Sequence, residues 1–360
     1  MTKTTWREIA KWIGIILLII LVLVLGLVLF LTITEYKPAE EEVLEVQQSE
    51  AETIDISKPL TIMTWNTGYG ALGENADFFM DGGAHVSTAD KDEVLGNLEG
   101  IADVVNSVNP DIVLLQEVDK KSKRSHYVDE EAQLAETIAM NGAESFAYNY
   151  KTYYVPYPLP TIGRVEAGLM TMSRYSVEKA TRLQLPCPFS YPIRLANLKR
   201  CVMIDRIAIP DSDRELVIIN LHLEAYDSGE GKIEQTNMLR KLLTEEAAKG
   251  NYVIAGGDFN QEFSNADTSG YPQISEDLWM PGTIDVTEFG DDFTFVTDDT
   301  NPSCRSLDQP YAGSDRENFQ YYLIDGFIVS GNVNVETINT LDLGFVSTDH
   351  NPVVMQVTFD

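Results

Sequence analysis

Eight polar residues in this chain fall at the ends of short apolar runs, where a folded sheet would present them together. Asn66 closes "LTIMTWN", Glu117 follows "DIVLLQ", His222 ends "IINLH", and Asp258 and Asn260 follow "VIAGG". Asp325 interrupts "YYLIDGFIVS", and Asp349 and His350 sit in "STDHNPV" just before the last apolar run. Singly, each has a plain structural reading: an Asn after a strand commonly caps a turn, and a lone histidine is often a satisfied polar group. As a set they supply the parts of phosphoryl transfer. Carboxylates and amide oxygens are the hard ligands that Mg²⁺ prefers, and that ion needs only one or two of them beside water and phosphate. Imidazoles paired with carboxylates can hold or protonate a phosphate oxygen. A metal to spread charge, a group to align water and a donor at the leaving oxygen complete the requirement. An Asp inside the apolar "LIDGFIV" is costly unless it meets a donor or a positive partner.

The surrounding pattern predicts elements able to position these groups. "LTIMTWN", "DIVLLQEV", "GLMTMSR", "CVMIDRIAI", "ELVIINLHLEA", "YYLIDGFIVS" and "NPVVMQVTF" read as strands. In the last, Val353, Met355, Val357 and Phe359 alternate, as in a half-buried strand. "KDEVLGNLEGIADVVNSV" puts Val94, Leu95, Leu98, Ile101, Ala102 and Val105 on one helical face, and Asn109-Pro110 ends it. "EAQLAETIAM" and "KIEQTNMLRKLLTEEAAKG" read as further helices, closed by Asn141-Gly142 and by Gly250. Residues 262–320, rich in Asp, Gly, Pro and Ser, predict long loops, and no internal repeat is visible. "YNYKTYYVPYPLP" reads as a packed Pro-rich loop, with a face toward lipid headgroups or sugar rings as the functional alternative. "NTGYGALGENADFFMDGG" must lie beside Asn66, either as a structural loop or as a substrate-pocket wall or second cation site.

Ile13 to Leu31 carries no charge, and about 20 apolar residues suffice to cross a bilayer as a helix. Lys3, Arg7 and Lys11 precede it and an acidic stretch follows, which predicts a cytoplasmic N-terminus and an exported remainder. Trp6 and Trp12 suit the inner interface. An anchor is preferred to a cleaved signal peptide because the run is long for one and "FLTITEYK" has no small-x-small cleavage site. The chain therefore divides into a short cytoplasmic tail (1–12), a transmembrane helix (13–33), a solvated acidic stalk (34–58) and one catalytic domain (59–360). The 26 basic and 56 acidic residues give a formal charge of −30. That balance suits a soluble exported domain and disfavours polyanionic nucleic acid as substrate. Three cysteines make no disulfide framework; Cys187 and Cys201 either pair in an oxidising exterior or remain buried thiols.

"TWN", "LLQEV", "NLHLEA", "GGDFN", "IDGFIVS" and "STDHNPV" resemble, in that order, the endonuclease/exonuclease/phosphatase superfamily with the deoxyribonuclease I-like fold. The resemblance runs from about Leu60 to the C-terminus, and "GGDFN" with a terminal "DH-x-P" is its specific combination. It implies a four-layered α/β sandwich, two central mixed β-sheets flanked by helices, with the site along one edge of the sheets. It also implies Asn66, Glu117 and Asp349 at a Mg²⁺ site, with Mn²⁺ as the other candidate and one or two ions. Asp258 would then orient and activate the attacking water, and Asn260 would steady it or the phosphoryl oxygens. His350 would contact the scissile phosphate while Asp325 fixes its tautomer. His222 is similar to the histidine of deoxyribonuclease I-like and sphingomyelinase-like members, where abasic-site nucleases carry Tyr. Glu166 in "GRVEAGLMTMSR" falls near that histidine's partner in the deoxyribonuclease branch.

These readings converge on a monomeric, membrane-anchored, extracytoplasmic, Mg²⁺-dependent hydrolase of a phospholipid, a lipid-linked ester or a small phosphate ester. A surface nuclease degrading external DNA or RNA is the second expectation. A non-catalytic surface binding module that keeps the fold is the third.

Overall fold

A computed structural model describes residues 3–360, and the side chains of residues 3–5 are outside the described set. Part of the expected cytoplasmic tail, the first two residues and the Lys3 side chain, therefore lies outside the described residues. Helix α1 (Lys3–Thr34) contains no proline and is rich in Leu, Ile and Val from Ile13 on, and its Trp6–Thr34 portion is long and apolar enough to cross a membrane.

The chain then forms β1 (Glu41–Leu44), β2 (Val46–Ser49), β3 (Leu60–Asn66), α2 (Lys91–Val108), β4 (Ile112–Asp119) and α3 (Glu130–Thr137). Next come β5 (Gly142–Val155), β6 (Gly163–Ser173), β7 (Lys179–Gln184), β8 (Cys201–Ala208), β9 (Glu215–His222), α4 (Glu230–Ala247) and β10 (Tyr252–Asp258). Short β11 (Gln261–Phe263), β12 (Gly282–Ile284), β13 (Phe293–Val296), β14 (Cys304–Arg305) and β15 (Tyr321–Tyr322) lead to β16 (Asp325–Ser330), β17 (Val333–Thr340) and β18 (Val353–Phe359).

Two seven-stranded mixed sheets organise these elements, in the orders β17-β18-β3-β4-β6-β5-β2 and β1-β7-β8-β9-β10-β16-β13. Between them lies a core in which Ile62, Ile112 and Leu114 of one sheet meet Ile218, Ile254 and Phe327 of the other. Strands buried on both faces read as continuous apolar runs rather than alternating ones. On the outer face of the first sheet, Leu98, Ile101 and Val105 of α2 and Leu134 of α3 pack onto Val113 and Leu115. Across the molecule, Leu239 and Leu243 of α4 cover Val217, Ile219 and Val253. The result is the expected four-layered sandwich. Local chemistry sets the helix limits: the Asp90 carboxylate accepts from the Asp92 and Glu93 amides at 2.9 Å, and Asn109 ends α2 in the left-handed region ahead of Pro110.

Two expected segments differ. The stretch taken as a solvated stalk, 34–58, contains β1 and β2, which add to the edges of the two sheets by pairing with β7 and β5. Leu44 and Val46 pack against the inter-sheet core while Glu45 between them faces water. Its composition looked unfolded because edge strands need only one apolar side. The tyrosine-rich stretch expected as a loop is largely β5, held between β6 and β2, and only residues 156–162 leave the sheet. All three cysteines are free thiols, Cys187 exposed and Cys201 and Cys304 buried.

The paired glycines before Asp258 have a steric cause. A Cβ on Gly256 would lie 2.4 Å from Phe327 Cδ1. Gly257, at φ +148°, would place one 2.0 Å from the Leu221 carbonyl oxygen. The backbone of β10 can pass between β9 and β16 only without side chains here. Gly257→Ala is therefore expected to lose about 3 kcal/mol of stability, at the upper end of overpacking effects, seen as a lower Tm by circular dichroism.

Candidate active site

Strand register brings the predicted residues to one edge of the sandwich. In the second sheet Asp258 lies opposite His222 on one side and opposite Asp325 on the other. In the first sheet, β3 and β4 run parallel and end together, with Asn66 paired to Gln116 next to Glu117. The segment before β18 is tied to β3: Trp65 Nε1 donates to the His350 carbonyl at 2.9 Å, and Thr348 Oγ1 donates to the Asn66 carbonyl at 3.0 Å. These bonds deliver Asp349 and His350 to the same edge.

The focus is one oxygen, Asp258 Oδ2. Asn66 Nδ2 donates to it at 3.0 Å, His222 Nε2 lies 3.4 Å away and His350 Nε2 lies 3.9 Å away. The other carboxylate oxygen accepts from the Asn260 amide at 2.9 Å. Asp325 Oδ2 sits 2.8 Å from His350 Nδ1, as expected, which fixes the ring and leaves Nε2 facing the cleft. Asp258, Asp325, His222 and His350 are all buried.

Glu117 occupies a backbone irregularity. The ladder between β4 and β6 slips between Leu115 and Val118, and Glu117 takes φ +57°. A bulge of this kind re-aims a side chain at the rim of a sheet, and left-handed backbone at a non-glycine residue recurs at functional sites. Its Oε2 is buried without a hydrogen-bond partner. Burial raises its affinity for a proton; Arg124 opposes this and the nearby Asp349 carboxylate adds to it. An orphaned carboxylate oxygen repelled by a second acid fits a divalent cation between them. Buried acid and imidazole groups also converge as Asp258, Asp325 and His350, and as Cys304, Asp349 and His350. Burial pushes the Cys304 thiol up to about 12, so it stays protonated and leaves the hard oxygen donors as ligands.

The two histidines are driven in opposite directions. Burial, followed by the Arg200 charge, holds His222 well below the ordinary imidazole range. Burial alone would do the same to His350, but Asp325, Cys304 and Asp349 outweigh it and raise it well above that range. Near neutrality one imidazole is neutral and the other is a cation. Asp258 is raised by burial and by the Asp325 charge, against the pull of His350. Groups whose environments push them apart in this way divide acid and base roles.

Two expected roles change. Glu166 is not a partner of His222: on β6 it pairs with Arg164, and its backbone faces Lys151 across the ladder. The acids that approach His222 are Asp258 and, 4.0 Å from Nδ1, Glu117. Asn260 lines the cleft, but its side-chain nitrogen donates to the Leu223 carbonyl at 2.9 Å. It therefore braces the turn carrying Asp258. Sequence reasoning missed Arg200 and Arg124. Arg200 donates to the His222 carbonyl at 3.2 Å and pairs with the buried Glu224. Arg124 binds Asp119 with two nitrogens and stacks 3.7 Å over the Tyr69 ring. No local pattern marks Arg200, whose partners lie far along the chain, while Arg124 reaches the site through Asp119, five residues before it, and through the distant Tyr69.

A two-sheet sandwich whose strand ends gather acids, an amide and two imidazoles in one cleft defines a class of phosphoesterase. The chain belongs to the endonuclease/exonuclease/phosphatase family, which it matches over residues 63–350. Members of that family are phosphoesterases and nucleases, generally dependent on divalent metals. None of the curated proteins compared matches the chain. Among solved structures, a family protein from Beutenbergia cavernae is 20% identical, with a TM-score of 0.54, covering 84% of this chain and 72% of the other. Truncated TDP2 from Caenorhabditis elegans is 16% identical, with a TM-score of 0.50, covering 84% of this chain and 98% of the other. The human Nocturnin catalytic domain with bound sulfate is also 16% identical, with a TM-score of 0.50 and coverages of 88% and 98%. At these identities the likeness is one of fold.

His350 binds its proton more tightly in the folded protein than in the unfolded chain. Its pairing with Asp325 thus contributes stability that is fully present below about pH 6.5, the unfolded histidine value, and is lost as pH rises through the raised folded value. Thermal unfolding of metal-free protein across pH should show this loss, and Asp325→Asn should flatten it. Glu166→Gln, which breaks only the Arg164 pair, should leave turnover within about twofold, as expected for a partly exposed ion pair.

Proposed function

We propose that this chain is a membrane-anchored, extracytoplasmic hydrolase of phosphate esters that uses Mg²⁺, acting on a phospholipid, a lipid-linked ester or a small phosphate ester. The observation that carries this reading is the convergence on Asp258 Oδ2 of Asn66, a neutral His222 and a cationic His350, beside an unpartnered Glu117. The apolar helix α1, the basic residues before it and the acidic residues after it support the anchored orientation. Held by Glu117 with Asn66 and Asp349, Mg²⁺ would polarise a phosphoryl oxygen and offset the charge that develops there.

The protein groups divide the remaining work. Asp258 accepts a hydrogen bond from water and, with its raised proton affinity, takes up the proton as that water attacks. Asn66 and the Asn260 backbone amide fix its carboxylate plane. His350, oriented by Asp325, donates from Nε2 to a phosphoryl or leaving oxygen. Neutral His222 offers a second polar contact without adding charge to the cleft. One chain supplies every group, so the reading needs no oligomer. The formal charge of −30 weighs against DNA or RNA as the preferred substrate.

The test is turnover of bis(4-nitrophenyl) phosphate by the purified full chain in detergent, with Mg²⁺ and then with EDTA. Activity should vanish on chelation and return with Mg²⁺. Asp258→Asn and His350→Ala should each reduce kcat by about 10²–10⁴-fold, the range for a lost general acid or base, with the fold retained by circular dichroism. Glu117→Gln should raise the Mg²⁺ concentration needed for half-maximal rate. Full activity in EDTA, or in Asp258→Asn, would end this reading.

A further inference from the structure

The cleft that holds Asp258 and His350 does not stop at the polar groups. It continues as one cavity of about 620 Å³ whose far walls include Leu27, Val28 and Leu31 of α1. That volume lies in the range that accommodates a whole organic ligand and exceeds what a phosphate group alone fills. Phe78, Phe79, Met80 and Tyr157 line it as well. The lining therefore joins the polar groups of the site to an apolar surface built partly from α1.

Three observations make that helix a wall rather than a tether. Its charge-free part, Trp12–Thr34, is 23 residues long, little more than the roughly 20 that cross a bilayer, so its last turns come at the outer lipid surface. Those turns dock on the domain: the Phe30 ring meets Tyr153 edge-on at 6.4 Å, Thr32 hydrogen-bonds the Tyr191 hydroxyl at 3.2 Å, and Leu31 is buried. Just beyond, the buried Glu35 carboxylate is held by Lys199 and Arg194, each at 3.3 Å. Residues 27, 28 and 31 share one helical face, while Leu29 and Ile33 on other faces remain exposed. The loops beside the cavity mouth also present apolar groups to the exterior. Tyr157 is 70% exposed, Leu159 85% and Ile193 61%. Exposed apolar residues grouped with tyrosines beside a membrane helix are the composition of a bilayer interface.

We propose that the apolar arm of this cavity holds the acyl part of a phospholipid drawn from the enzyme's own bilayer, with α1 as one wall. The proposal rests on the hydrolase reading above and names its substrate class. The phosphodiester then lies at the polar end, next to Asp258 and His350, without the lipid leaving the membrane plane. Water's oxygen joins phosphorus, one ester P–O bond breaks, and the departing oxygen takes a proton.

The test uses the full chain in nanodiscs of phosphatidylcholine and phosphatidylglycerol with Mg²⁺, following loss of intact lipid by mass spectrometry. Bis(4-nitrophenyl) phosphate and plasmid DNA are assayed in parallel. Bilayer lipid should be consumed, and Val28→Trp and Met80→Trp, which narrow the arm, should each lower the lipid-to-soluble-ester turnover ratio by about tenfold or more. A phospholipid with a diazirine on its acyl chain should label residues 27–31 and 78–80 of the unaltered chain, and Val28→Trp should remove the label at 78–80. An unchanged ratio with both variants, or labelling confined to the outer face of α1, overturns the proposal. Hydrolysis of the soluble ester with no lipid consumed also overturns it while leaving the hydrolase reading intact. DNA cut faster than lipid is consumed overturns it in favour of a nuclease. If neither ester nor lipid reacts, the hydrolase reading fails and the acyl label alone decides what the arm holds.

Discussion

The hydrogen bond between Asn66 and Asp258 ties the working edges of the two sheets together, beside those of Gln116 to Asn220 and of His350 to Asp325. Asn66 ends β3 in one sheet and Asp258 ends β10 in the other, and the amide of the first donates to the carboxylate of the second at 3.0 Å. Everything in the cleft is referenced to that contact. Glu117 is one strand away on the Asn66 side, while His222 and Asp325 are one strand away on the Asp258 side. The inter-sheet core holds the two edges at fixed separation. A close-packed interior transmits displacement rather than absorbing it, so the spacing of the polar groups is set by apolar residues far from them.

The cleft concentrates several acids where water is scarce, an arrangement that would destabilise the fold if each remained charged and alone. The structure answers with pairing and with altered proton affinity. Asp325 finds His350, Asp119 finds Arg124, and Glu224 finds Arg200. Glu117 finds no arginine partner and no imidazole nearer than 4.0 Å, its Oε2 has no hydrogen-bond partner, and it sits on left-handed backbone, so it is an acid that a cation would complete.

The catalytic edge was legible in the sequence because its residues follow buried strands, and such strands declare themselves as unbroken apolar runs. The Asp in "LIDGFIV" was equally readable, by its need for a partner. Edge strands were not. β1 turns Leu44 inward but leaves Val43 exposed beside Glu41, and β2 has Val46 as its one apolar residue, so composition alone suggested a solvated segment. Glu166 failed for a different reason. Its neighbour two residues back, Arg164, lies on the same side of β6 and captures it, and nothing in the spacing reveals which of two partners a carboxylate reaches first. The fit of α1 against the domain was also invisible, since an apolar run long enough to cross a bilayer looks the same whether or not its last turns touch protein.

The incorporation of β1 and β2 into the sheet edges has a consequence for reach. Only six residues separate the end of α1 from the start of β1, and Glu35 among them is already clamped. The domain cannot swing out on a long leash. With α1 in a bilayer, as proposed, this short link would set the height and tilt of the domain over the lipid, and encounters with a lipid substrate would be governed by lateral diffusion in two dimensions.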